Sequence, residues 1–212
     1  MVLVSNVKKF IYLKNKKVAG TSVEAYFEKY CLPPNEQYKQ THSIDETVSK
    51  FGIIGFRENG KQIGNFSNHM NLSDLNTKLE RNVINNYFKF CVVRNPYDKM
   101  VSYYFFEKKR LPNNFNYTFN EFCKNKDCFN LNRVKLNGSI KCDYFIKFEN
   151  LLEDLEIVCK KLSIPFDKDL LPNFKSKCRT EKKPYQDYYD EETKQIVYQK
   201  HKEEFELFGY TF

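Results

Sequence analysis

The chain has 212 residues, enough for one domain with a real hydrophobic core. Hydrophobic residues make up 41% and aromatics 17%, carried by Phe and Tyr with no Trp, which excludes a disordered or low-complexity chain. Lysine and arginine number 35 against 27 acidic residues, and the net charge of +8 favours an anionic partner (nucleotide, acidic glycan, nucleic acid or membrane surface) without choosing among them.

Cysteine usage narrows the setting. The seven cysteines are Cys31, Cys91, Cys123, Cys128, Cys142, Cys159 and Cys178, an odd number with no C-x-x-C pair. That pattern argues against structural zinc and for reduced thiols in a cytosolic compartment. The opening MVLVSNVKKF has too short an apolar run for a signal peptide, and no later run is long enough to cross a bilayer. The expectation is a soluble, cytoplasmic protein without a membrane anchor.

In chain order, Phe10-Ile11-Tyr12-Leu13 reads as a strand and Val23 to Phe27 as part of a helix. Between them lies Lys14-Asn15-Lys16-Lys17-Val18-Ala19-Gly20-Thr21-Ser22. A strand that turns through a Gly into a helix leaves several backbone N–H groups pointing one way, at the positive end of the helix dipole. With the Thr21 and Ser22 hydroxyls and the Lys17 charge, this is a nest for a phosphate-like anion. It is not a Walker A loop, whose Lys directly follows its second Gly. The plain alternative is an ordinary strand–turn–helix with a Ser/Thr cap and solvated lysines.

Pro33-Pro34 stops the first helix. Phe51–Phe56 and Lys61–Phe66 flank Arg57-Glu58-Asn59-Gly60, a hairpin signal. Gly55 to Lys61 matches a Walker A up to its last position, but that position is Gln62, which has no hydroxyl for Mg²⁺, and no helix follows. Leu72-Ser73-Asp74-Leu75 opens a helix. Tyr87–Val93 reads as a buried parallel strand, followed at Pro96 by a helix to about Lys109. Thr118–Cys123 reads as a short helix and Asp143–Phe148 as another buried strand. Glu149–Leu162 is an amphipathic helix with Leu152, Leu155, Val158, Cys159 and Leu162 on one face. Asp190–Phe208 is a final helix stopped by Gly209, with Tyr210-Thr211-Phe212 packing back. Strands alternating with helices predict a single α/β domain over residues 1–212, a central, mainly parallel sheet flanked by helices. Ligands in such sheets sit at the carboxyl ends of the strands.

Four separated stretches together resemble the sulfotransferases that use 3′-phosphoadenosine 5′-phosphosulfate (PAPS). Lys17-Val18-Ala19-Gly20-Thr21-Ser22 resembles the family's 5′-phosphosulfate loop. Val92 to Ser102 is similar to its 3′-phosphate element, an Arg at a strand end followed by a helix Ser. Phe145 to Leu151 resembles a later strand and helix start, and Tyr188-Tyr189-Asp190 with Phe208 to Phe212 a C-terminal signature. The nearest likeness is to small bacterial and viral-type carbohydrate sulfotransferases, including the uronyl 2-O class.

The resemblance implies a P-loop-like three-layer fold and transfer of a sulfuryl group from PAPS to a hydroxyl, on a saccharide, with adenosine 3′,5′-bisphosphate (PAP) as product and no metal. It implies that Lys17, Ala19, Gly20, Thr21 and Ser22 hold the phosphosulfate, that Arg94 and Ser102 hold the 3′-phosphate, and that Lys177 and Arg179 form a further basic clamp. Arg94 offers a bidentate fork, and Lys17 a charge aimed at the bridging oxygen. His69 matches the family's histidine base, with Glu24 as a rival that also reads as a structural salt-bridge partner. Val18 replaces a more usual Thr, and Lys99 stands where Arg is common. Two other classes stay open: a nucleotide or nucleoside kinase, and a non-catalytic basic module binding glycan or nucleic acid. No nucleic-acid partner is expected on the favoured reading.

Overall fold

The structure is a computed structural model that describes residues 2–34, 45–56, 64–67, 69–172, 174, 179 and 183–212. In chain order the strands and α-helices are β1 (Val2–Ser5), β2 (Phe10–Leu13), α1 (Gly20–Phe27), β3 (Thr47–Ser49), β4 (Gly52–Ile54), α2 (Leu72–Asn76), α3 (Arg81–Asn86), β5 (Phe88–Val93), α4 (Pro96–Arg110), α5 (Phe119–Asn125), β6 (Lys135–Leu136), β7 (Ser139–Ile140), β8 (Tyr144–Lys147), α6 (Leu151–Lys161), α7 (Glu191–Lys200) and α8 (Lys202–Phe208). The chain forms two compact units, Met1–Val93 with Asn130–Phe174, and Arg94–Phe129 with Lys175–Phe212.

The first unit holds a six-stranded sheet in the order β3-β4-β1-β2-β5-β8. Its β2-β5 and β5-β8 pairings are parallel. The β1-β2, β1-β4 and β3-β4 pairings are antiparallel. The expected mainly parallel sheet is therefore corrected to a mixed one with an antiparallel majority. Val2–Ser5 is a fully buried strand that folds back on β2, with Lys9 at φ 53 closing the turn. β4 then pairs with β1 and β3. Of the expected hairpin around Asn59-Gly60, Phe56 N–H does donate to Phe66 O at 3.1 Å. Its turn and the Walker-like residues 57–62 lie outside the described residues.

The parallel half carries the core. Phe10, Tyr12, Phe27, Phe90, Val92, Ile146, Leu155 and Val158 are all buried together. The Phe27 and Phe90 rings meet edge to face at 5.0 Å, a geometry that adds specificity to burial. β8 lies at the sheet edge, so only Ile146 of its four residues is buried, where a buried strand was expected. Leu152 of α6 is 42% exposed and is not part of that helix's apolar face, whereas Leu155, Val158 and Cys159 are. A short β6-β7 hairpin stands apart from the main sheet.

The second unit is helical. Pro96 starts α4 and Asn95 caps it, its side chain accepting from Tyr97 N–H. Thr118 and Glu121 form a capping box on α5. The expected single C-terminal helix is two helices, because His201 departs from helical geometry at φ −112, ψ 19 while its ring is buried against Phe129. Gly209 ends α8 in the left-handed region at φ 66. The C-terminus does pack back: Thr211 O accepts from Asn95 Nδ2 at 2.7 Å, and the Phe212 ring lies 4.9 Å from Tyr97.

Lys99, fully buried in α4, meets Glu204 of α8 at 2.5 Å, and His201 stands 3.5 Å from the same carboxylate. Burial works against the Glu204 charge, yet Lys99 and His201 hold its carboxyl below the usual value. Removing one partner would strand a buried charge. Lys99→Met is expected to cost about 3–5 kcal/mol of stability in urea denaturation, with most of it regained in Lys99→Met/Glu204→Leu. A single variant within about 1 kcal/mol of wild type would contradict this.

Candidate active site

The loop between β2 and α1 leaves the carboxyl end of a strand in the parallel half of the sheet. Two of its residues are left-handed, Lys17 at φ 62 and Ala19 at φ 59, with Val18 between them. Each costs on the order of 1 kcal/mol for a residue with a Cβ, so the surroundings must hold them. Val18 is one anchor: its side chain is fully buried in the core. The residue that replaces a hydroxyl in the family pattern thus pins the loop from beneath. Asn15 is a second anchor, donating to Val92 O of β5 at 2.9 Å. Tyr12 Oη donates to Gly20 O at 3.1 Å. Gly20 is closely packed, since a Cβ there would stand 3.0 Å from Asn15 O and 3.1 Å from Lys14 Cγ and would press both aside.

Helix α1 begins at Gly20, and its first bonds run from Ser22 N–H and Val23 N–H to Ala19 O. The N–H groups of Gly20 and Thr21 precede them and have no intrahelical acceptor. Ser22 Oγ accepts from Phe174 N–H at 3.2 Å and keeps its own proton to donate. Left-handed Ala19 followed directly by the helical residues of α1 gives the left–right pairing of an anion nest. Lys17 is partly exposed at its rim.

Beneath the loop Lys14 is 4% exposed and Glu24 fully buried, their charged ends 2.7 Å apart. Glu24 therefore takes the structural role named for it above. The Lys14 carbonyl also serves the site, lying 3.0 Å from His69 Nδ1. A carbonyl only accepts, so the proton sits on Nδ1 and Nε2 carries the lone pair. His69 is itself left-handed at φ 61, and its carbonyl accepts from Arg133 Nη1. Its pKa is lowered to about 2; burial is the main cause, and the Lys14 and Arg133 charges add to it while the hydrogen bond to Lys14 O opposes. The imidazole is neutral at every physiological pH. The sequence carries no signal for this burial.

In the second unit Arg94 donates through Nε and Nη2 to Asp98 Oδ2 at 2.8 and 2.6 Å. Arg179 Nη1 reaches the other oxygen of Asp98 at 3.4 Å, and its guanidinium lies 5.1 Å from the Tyr188 ring centre. The structure thus brings Arg94 and Arg179 to one carboxylate, and Ser102 follows Asp98 by one turn of α4. Lys177 lies outside the described residues, as does Cys178. The other six cysteines are free thiols. Lys99 points into the unit's interior, paired with Glu204, and not toward this cluster.

Sequence reasoning did not single out Asp98, Asn130 or Arg133. Asn130 Oδ1 accepts from Lys16 N–H at 2.9 Å, and its Nδ2 donates to Lys16 O at 3.0 Å. Among the described residues no group of three or more His, Cys, Asp or Glu is arranged to hold a metal ion, and no helix is long and apolar enough to cross a membrane.

Comparison with known proteins agrees with the motifs. An uncharacterized protein of Archaeoglobus fulgidus is 32% identical over 105 residues, covering 47% of this chain and 87% of the relative. No solved structure matches the chain. The profile of the sulfotransferase family matches residues 1–211, nearly the whole sequence, and the chain belongs to that family.

Proposed function

We propose that the protein transfers a sulfuryl group from PAPS to a hydroxyl of a saccharide. The observation that carries this reading is the loop from Lys17 to Ser22, with the His69 ring hydrogen-bonded to its stem. PAPS supplies an activated sulfuryl group whose departure leaves negative charge on a bridging oxygen. The loop fits that group: the Gly20 and Thr21 N–H groups and the hydroxyls of Thr21 and Ser22 take the charged oxygens. Lys17 then faces the bridging oxygen, where charge grows in the transition state. His69 accepts the acceptor hydroxyl's proton on Nε2. Arg94, Ser102 and Arg179 are assigned the 3′-phosphate, an assignment supported by the family motif and by the two guanidiniums already gathered at Asp98.

The neutrality of His69 supports the base role and limits it. Its lone pair is available over the whole working range, but a ring this hard to protonate is a weak base in the free protein. An anionic donor beside Lys14 and Arg133 would offset their charges and raise its basicity. The closeness to the uronyl 2-O class stays part of this proposal, as does the cytoplasmic location.

A thermal-shift series tests the reading. PAP is expected to raise Tm in a concentration-dependent way, and ATP with Mg²⁺ is not. The reverse preference would make the protein a kinase, and a response only to polyanions a binding module. Lys17→Ala is expected to lower kcat by about 100-fold or more while the variant stays folded. Full retained activity would remove Lys17 from the role.

The pH behaviour of His69 gives a separate check. Its folded pKa lies below its unfolded value, so the unfolded chain takes up a proton there first as pH falls. The stability that the neutral ring contributes is complete above the ordinary value of 6.5 and is lost as pH drops toward 2. His201 is lowered too, chiefly by burial, and acts with the same sign. Replacing His69 by Asn is expected to flatten the fall in unfolding free energy between pH 6 and 4, by up to about 1.4 kcal/mol per pH unit. An unchanged slope would place His69 in water.

A further inference from the structure

Two residues given roles above, Lys17 and His69, hold strained left-handed backbones at φ 62 and 61. Such residues persist only where neighbours over-determine them. For both, part of that support comes from one short stretch of chain, more than sixty residues away in sequence. We propose that Asn130 and Arg133 are the positioning residues of the reaction: Asn130 clamps the backbone next to Lys17, and Arg133 clamps the backbone of His69. The inference rests on the reading of the function given above.

The geometry is specific. Asn130 uses both ends of its amide on one residue, accepting from Lys16 N–H at 2.9 Å and donating to Lys16 O at 3.0 Å. A side-chain amide that pairs this way imitates a neighbouring strand, and it fixes the peptide planes on both sides of Lys16. The C=O half of that pair belongs to the peptide whose N–H is that of Lys17. Asn130 is only 2% exposed, so the bonds are shielded from competing water. Arg133 Nη1 donates to the His69 carbonyl. The two residues are themselves tied, because Arg133 N–H donates to Asn130 O at 3.0 Å in the 3-10 turn Leu131–Arg133. That turn is rooted by Leu131 at 6% exposure and by fully buried Val134.

These bonds end on irregular backbone, one residue before Lys17 and on His69 itself. One rigid turn thereby sets the spacing between the charge aimed at the leaving oxygen and the ring that takes the proton. Misplacing either by about an ångström is enough to cost around 100-fold in rate. The effect should fall on kcat, because the N–H nest and the 3′-phosphate residues that bind the product nucleotide are untouched.

The test compares wild type with Asn130→Ala, Arg133→Met and Arg133→Lys. Amide hydrogen exchange at Lys16 and Lys17 is expected to quicken in Asn130→Ala, a readout that needs no substrate. PAP affinity, measured by calorimetry, is expected to stay within about threefold of wild type, whereas kcat for turnover of PAPS with an oligosaccharide panel, or with water, falls at least about tenfold. Arg133→Met is expected to lose kcat similarly, and Arg133→Lys, which keeps a cationic donor, to recover at least half of the loss on a logarithmic scale. Unchanged exchange at Lys16 would overturn the clamp. Unchanged kcat in the folded variants, or PAP affinity and Tm falling in step with kcat, would overturn the positioning role. A wild type that neither binds PAP nor consumes PAPS would overturn the reading of the function and this inference with it, which the variants alone could not do.

Discussion

The loop after β2 stands on a side chain turned into the core. Val18 lies in the core between two left-handed residues, and burying an isopropyl group there contributes roughly 1.5–3 kcal/mol. That is the same order as the strain of Lys17 and Ala19 together. A hydroxyl at this position would enter the core and weaken the anchor. The hydrogen bonds from Asn15 to Val92 O and from Tyr12 to Gly20 O then fix the direction in which the loop leaves the sheet. The proposed anion site is thus formed by backbone that the core holds bent.

A net positive chain faces the problem of keeping its cations where they are wanted. Lys14 is withdrawn from solvent and neutralised by Glu24 under the loop, and Lys99 by Glu204 in the other unit. Neither pair is a strong argument for stability, since desolvating two ions offsets most of their attraction. Both are specific, however: a buried charge tolerates one partner at one distance. Lys14 shows what such rigidity can do, because the residue whose side chain is locked by Glu24 offers its carbonyl to His69. The tautomer of the ring follows from that carbonyl contact.

The elements legible in the sequence were those with local signals. The β2-loop-α1 unit, the strand ending at Val93 with Pro96 opening α4, the Thr118 cap and the Gly209 stop all announce themselves in a few residues. The mixed sheet did not, because Val2–Ser5 is four residues long and its pairing with β2 and β4 is a tertiary fact. The break at His201 has no Pro or Gly to mark it, and it coincides with a buried ring. The candidate site divides the same way. Lys17, Gly20 and Arg94 sit in recognisable motifs. Asn130 acts across 114 residues through an amide pair, and nothing in the pattern Asn130-Leu131-Asn132-Arg133 distinguishes it from its polar surroundings.

On the proposed function, these constraints couple two steps that could have been independent. His69 is buried beside Lys14 and Arg133, so in the free protein its ring resists a proton. Burial is the main cause, the positive charges of Lys14 and Arg133 add to it, and on this reading the donor is an anion held by the loop that Lys14 begins. Filling the nest offsets part of those charges and makes the ring a better base at the moment when an acceptor can react. Before the nest is filled, Nε2 remains a hydrogen-bond acceptor with little driving force to remove a proton. A base tuned to an ordinary pKa of about 6.5 would be ready whether or not the donor were present. Burying it beside Lys14 and Arg133 makes its basicity, on this reading, respond in part to occupancy of the loop.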